Sequence, residues 1–305
     1  MLRSEAFVRP ARKTETLSFT SGPSRQRYPA SQHGVSEKHD FPACSHAAVS
    51  HGRTQKKRRD VMNQPIEEPY LGETFPALEK TDPDLAAMRA RLAREDAESF
   101  PDAKTSCLLT MAVLAALQTT GDMKRITEEA LRAGATPVEI KEILYQCVPY
   151  IGFPRTEAAL RPVNEALLAA GVSLPVESCA AVTEENRFSR GLAVQKSIFG
   201  DAIDRMHSAT PKDERRIMVD RLSAFCFGDI YTRGGLDLKK RELVTFCIIS
   251  ALGGCESQVK SHVQGNANVG NTRQDLVNAL TLILPCIGFP RTLNALSCVN
   301  EVLPG

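Results

Sequence analysis

IGFPRT, at Ile151 to Thr156, recurs letter for letter at Ile287 to Thr292, 136 residues further on. The match runs past the hexamer, because VNE follows at the same distance each time, at Val163 to Glu165 and Val299 to Glu301. One offset therefore aligns the two stretches. It sets Pro149 on Pro285, Gly134 on Gly270, Thr136 on Thr272 and Lys124 on Lys260. A period this long marks a duplicated domain rather than a short-repeat solenoid, with each copy expected to bury its own core and the two to pack as a pseudo-dimer.

The period inside each copy is helical. TDPDLAAMRARLARED opens with Asp82 as a cap and Pro83 in the first turn, and an apolar helix follows over about Asp102 to Thr119. MKRITEEALRAG then stops at Gly134, and TPVE (Thr136 to Glu139) has the capping-box pattern that opens the helix EIKEILYQCV. The second copy repeats the plan with Asp237 as a cap, TRQD at Thr272 to Asp275, and LVNALTLIL. Alternating β-branched runs are few, so the fold class is all-α, a duplicated helical hairpin. IGFPRT itself reads as a corner between two helices, Gly giving the bend and Pro fitting the next first turn. A sharper reading has Arg155 and Arg291 also facing a pocket and holding an anion.

The charge is uneven. Residues 1–60 hold 12 Lys/Arg and 5 Asp/Glu, a net of +7, so the remainder carries −5 against +2 for the whole chain. The basic balance thus belongs to the head and implies no nucleic-acid partner for the folded part. Residues 1–61, with four of the six histidines, read as a disordered basic extension. Its QKKRRD run also fits a nuclear-type address or a phosphate patch, its Arg-rich start a transit peptide, and Met62 an alternative start. The folded part is expected over 80–172 for the first copy and 185–305 for the second. No apolar stretch approaches the ~20 residues of a membrane span, the longest being CLLTMAVLAAL (Cys107 to Leu117), so no membrane association is expected. Nine scattered cysteines without CxxC spacing suggest neither a disulfide framework nor a metal site, and point to a reducing, cytoplasmic setting.

The repeat serves as an internal control on what the fold needs. Glu242 lies over Ser106, Cys255 over Thr119 and His262 over Ile126, three polar residues that the first copy does without. Cys255 and His262, seven apart, lie about 20° from each other around a helix but ~10 Å apart along it, so a direct bond is not expected, while a substrate or water could bridge them. Glu242 stands 11 residues before Gly253 and His262 eight after Gly254, so a tight antiparallel hairpin brings them together. A carboxylate beside an imidazole fixes its tautomer and suits it to general acid and base work. Cys255 begins the second helix, where the dipole favours thiolate.

YTRGGLDLKKRELVTF, GGCESQVKSHVQGNANVGNTRQDL and PCIGFPRTLNAL together resemble the carboxymuconolactone decarboxylase family, which includes the alkylhydroperoxidase D group. The likeness is strong over about 213–302 and fainter over 82–168. It implies an all-helical fold assembled into homo-oligomers, such as trimers of two-domain chains, and a cofactor-free, metal-free site whose Glu, Cys and His fall on Glu242, Cys255 and His262. In the peroxidase branch a second cysteine stands where this chain has Gln258. The decarboxylase branch implies proton transfer to a dienolate from a small lactone acid, with Arg291 or Lys260 on the carboxylate and Gln258 near the substrate. Three functions stay open: acid–base chemistry on a small anionic lactone or carbonyl compound, thiol peroxidase action by Cys255 with an external thiol reductant, and a non-catalytic assembly module.

Overall fold

The computed structural model describes residues 76–96 and 102–305, and the expectations for the basic head lie outside them. Helices α1 (Pro76–Thr81) and α2 (Pro83–Asp96) lead into copy 1: α3 (Ala103–Leu117), α4 (Met123–Arg132), α5 (Pro137–Ile151) and α6 (Phe153–Ala169). α7 (Arg187–Phe199), α8 (Ala202–Ala209) and a π-helix (Arg216–Tyr231) follow. Copy 2 is α9 (Leu238–Leu252), α10 (Glu256–Asn268) and α11 (Arg273–Val302). The described residues contain no strand, and the class is all-α.

The repeated letters build repeated geometry. Thr136 Oγ1 accepts from Glu139 N at 3.1 Å while Glu139 Oε2 accepts from Thr136 N at 2.9 Å. Thr272 and Asp275 make the same reciprocal pair at 3.1 and 2.7 Å. At the IGFPRT corners Gly152 (φ 79°, ψ 164°) and Gly288 (φ 72°, ψ 168°) share one backbone conformation that residues with a Cβ rarely adopt. Each corner closes with a threonine hydroxyl back to the glycine carbonyl, Thr156 at 3.0 Å and Thr292 at 2.9 Å. The hexamer is therefore a corner in both copies, and within α11 the non-helical Gly288 divides the span into two helical segments that meet at a kink.

α3 and α9 form the centre. Every residue from Cys107 to Ala116 and from Arg241 to Ala251 is buried, as expected of helices covered on all sides. They pack on each other, and α5 and α11 flank them. The expectation of one core per copy is not met. Met111, Leu114 and Ile143 of copy 1 belong to the same continuous cluster as Phe246, Ile248 and Ile283 of copy 2, so the pseudo-dimer shares a single interior. Burying Phe246 alone contributes about 2–3 kcal/mol of transfer free energy. By length and composition α11 is apolar enough to cross a membrane. It is instead bent at Gly288, and it packs on α3, α9 and α10.

A further helical layer, with no counterpart in the repeat, separates the copies along the chain. α7 runs against the π-helix so closely that a Cβ on Gly191 would sit 2.0 Å from the Ser223 carbonyl oxygen, and one on Gly228 2.3 Å from that of Arg187. The pair carries a small second core of Ile198, Cys226, Phe227 and Tyr231. This layer delivers Phe199 and Tyr231 to the candidate site.

Candidate active site

Glu242 projects from the middle of α9 and is fully buried. Its Oε2 lies 2.8 Å from His262 Nδ1 on α10, and its Oε1 accepts from the Tyr231 hydroxyl at 2.8 Å. The expected Glu–His hairpin contact is thus present. Gly265, one turn after His262, makes room for it, because a Cβ there would stand 2.5 Å from Glu242 Oε2. Asn266 pins the two helices in register, its Nδ2 donating to the backbone carbonyls of Glu242 (3.0 Å) and His262 (2.7 Å). Asn271 in turn donates to Asn266 Oδ1 at 2.7 Å.

The His262 ring is held edge-on between Phe199 and Tyr150, with centroids 5.5 and 5.9 Å away. With Glu242 as the acceptor at Nδ1, the ring tautomer protonated there presents Nε2 as a lone pair. Nε2 has no hydrogen-bond partner among the described residues, and the side chain is 12 % exposed. The geometry is that of an oriented imidazole with one nitrogen left for chemistry.

A buried polar chain continues into copy 1. The Tyr231 hydroxyl donates to Glu242, so its oxygen accepts from Tyr150 and Thr245, each 2.9 Å away. Gln146 Nε2 donates to Thr245 Oγ1 at 3.1 Å, and Gln146 Oε1 accepts from Arg241 Nη1 at 2.9 Å. Arg241, fully buried, also donates to Glu142 Oε2 at 3.0 Å and to the carbonyls of Arg233 and Gly234 at 2.9 Å. Arg233 closes on Glu142 from the other side at 2.9 Å. Burial, followed for Tyr231 by the Glu242 charge and for Tyr150 by Cys226 and Glu242, holds both phenols well above the usual tyrosine range, so they stay donors. Tyr231, Tyr150, Thr245 and Phe199 were not found from sequence. Tyr150 carried a usable signal: it lies over Cys286, a difference between the copies of the same kind as the three that were noticed.

Cys255 departs from expectation. It precedes the first helical residue of α10, and its thiol turns back to donate to the Ile249 carbonyl at the end of α9, 3.2 Å away. It therefore faces the negative end of α9 rather than the amides of α10. Burial, then Glu256 and Cys298, raise the thiol above its ordinary value, opposite to the expected thiolate. It makes no hydrogen bond to His262, in keeping with their separation along the helix. Cys247, on α9, is fully buried, and burial pushes its thiol up as well.

The remaining candidates are dispersed. Lys260 forms an ion pair with Glu301, and Gln258, exposed, accepts from the Ser257 hydroxyl at 2.9 Å; neither shares a partner with Glu242 or His262. Arg291 lies along the α9–α10 corner, its Nε 3.3 Å from where a Gly253 Cβ would be, and has no ion-pair or hydrogen-bond partner among the described residues.

The description "carboxymuconolactone decarboxylase family" fits the chain twice, over residues 83–165 and 218–301. A 4-carboxymuconolactone decarboxylase of Acinetobacter baylyi is 28% identical over 124 residues, covering 40% of this chain and 90% of that protein.

Proposed function

The chain belongs to the carboxymuconolactone decarboxylase family, and on that premise we propose that copy 2 performs acid–base chemistry on a small anionic lactone or carbonyl compound. The observation carrying this reading is the 2.8 Å contact of Glu242 with His262 Nδ1, which leaves Nε2 unpartnered beside a partly open ring. In a decarboxylation the carbon–carbon bond to the carboxylate breaks, carbon dioxide leaves, and the electron pair passes into the lactone as a dienolate. The dienolate carbon then takes a proton. His262 first takes a proton at Nε2 from water, then gives it to that carbon, and stays oriented by Glu242 throughout. Tyr231 donates to Glu242 Oε1 and so fixes the position of the carboxyl group beside the imidazole. Arg291, unpartnered at the α9–α10 corner, is the cation proposed for the substrate carboxylate. Lys260 is already engaged by Glu301.

The thiol-peroxidase reading draws no support from the surroundings of Cys255, which raise rather than lower its pKa. Assembly into homo-oligomers is part of the proposal. The exposed Phe153, Phe289, Leu293 and Ile217 offer apolar surface for it, with a trimer of two-domain chains as the arrangement to test.

The test is turnover of 4-carboxymuconolactone, followed by its ultraviolet absorbance, with assembly read by light scattering. His262→Ala should lose about 10²- to 10⁴-fold in rate while assembling as the wild type does. A variant that keeps the wild-type rate overturns the site. A wild type that does not turn the lactone over overturns the substrate.

A further inference from the structure

Copy 1 lacks the Glu–His pair, yet it contains the wall of a separate cleft of about 470 Å3. Lys141, Glu142 and Tyr145 of α5 line one side, and Leu174, Pro175 and Val176 of the following strap line the other. Lys141 is only 8 % exposed. Its ammonium donates to Asn164 Oδ1 at 2.6 Å and has no carboxylate within ion-pair distance among the described residues. Two of its three N–H groups are therefore unused. Glu142, the nearby carboxylate, is consumed by Arg233 at 2.9 Å and Arg241 at 3.0 Å. Arg233 also lines the cleft, its guanidinium 5.1 Å from the Tyr145 ring centre. Glu177 stands exposed at the rim, where solvent screens it.

A buried ammonium with no counter-charge is costly, and an incoming carboxylate relieves that cost by supplying both charge and hydrogen-bond acceptors. The walls select further. Val138, Leu174 and Val176 offer hydrocarbon contact that a hydrated inorganic ion does not use. We propose that this cleft is a second binding site, for a small organic monocarboxylate whose carboxylate sits on Lys141 Nζ and whose apolar body lies against Val138, Leu174 and Val176. The site belongs to copy 1 alone: its partners under the repeat offset are Val277 for Lys141 and Asn278 for Glu142. It also stands apart from His262, although Glu142 on its wall is the far end of the hydrogen-bond chain that begins at Glu242.

The experiment is calorimetric titration of the full chain with benzoate, with benzamide as its neutral counterpart and inorganic phosphate as a bare anion. Benzoate should saturate one site in the wild type and in His262→Ala, and bind about ten-fold or more weakly to Lys141→Met, a change of ~1.4 kcal/mol or more. Val176→Trp, which fills the cleft from the strap without touching the charged network, should abolish binding and guards against a misfolded Lys141→Met. Benzamide and phosphate should each bind at least about ten-fold less tightly than benzoate. The proposal is overturned by no benzoate binding at millimolar concentration, by wild-type affinity in Lys141→Met or Val176→Trp, or by phosphate matching benzoate. Loss confined to His262→Ala would instead place benzoate in the site of copy 2.

Discussion

Copies 1 and 2 solve the same packing problem with different contents. Between α3 and α4, copy 1 places Ile126, fully buried, inside the shared hydrocarbon interior. At the same place between α9 and α10, copy 2 holds Glu242 and His262. The corners, capping boxes and glycine conformations agree, so the scaffold is indifferent to that choice, and the hydrogen-bonded Glu–His pair is an addition to the fold rather than part of its support. Dependence also runs the other way. Copy 1 sends Tyr150, Gln146 and Glu142 into the polar chain behind Glu242, so the half without the pair still holds the pair's surroundings in place.

The deepest link between the copies is the one whose loss should cost most. Arg241→Met leaves Glu142 buried with one guanidinium instead of two, and removing one partner of a buried ion pair costs about 3–5 kcal/mol. Urea denaturation should place this variant near ~3 kcal/mol, because Arg233 remains. A cost under ~1 kcal/mol would show that the copies are joined by the hydrocarbon core alone. Next in size is Tyr231→Phe. It removes a hydrogen bond to a buried carboxylate, for about 1.5–3 kcal/mol, and should lower turnover as well by loosening Glu242.

Gly265→Ala sharpens the contrast further, since copy 1 has Glu129 at that position and needs no gap there. The new methyl must displace either Glu242 Oε2 or Phe199, whose ring edge lies 2.9 Å from it, for about 1–3 kcal/mol. The expected signature is loss of turnover with the helical circular dichroism intact. Glu242→Ser with His262→Ile, which gives copy 2 the residues of copy 1, should abolish turnover and leave stability within ~1 kcal/mol of wild type or above it. Replacing both partners of a buried hydrogen bond together, so that neither is left unpaired, can be nearly neutral. A large destabilisation would make the pair structural and support the assembly-module reading.

The duplication, the corners, both capping boxes and the Glu242–His262 contact were legible because each depends on local chemistry and a fixed offset. The shared core was not, since nothing within one copy says which of its buried faces meets the other. The π-helix was missed for a related reason: its register is imposed by backbone contact with α7 through Gly191 and Gly228, not by a sequence period. Tyr150 and Gln146 lay within reach. They are polar residues present only in copy 1, over Cys286 and Leu282.

Cys255 offers the smallest effect and the cleanest division between the enzymatic readings. Sequence position alone places its thiol at the positive end of α10; the structure turns it toward the Ile249 carbonyl and raises its pKa through burial, Glu256 and Cys298. A raised thiol pKa means less thiolate at neutral pH, so alkylation by iodoacetamide should be slower there than for a free thiol. The rate should climb only as pH passes above the ordinary thiol value of ~8.5. The profile should be unchanged in His262→Ala, because the two side chains share no hydrogen bond. A midpoint below ~8.5 that rises in His262→Ala would couple thiol and imidazole, and would move the chemistry of copy 2 from proton transfer to peroxide reduction.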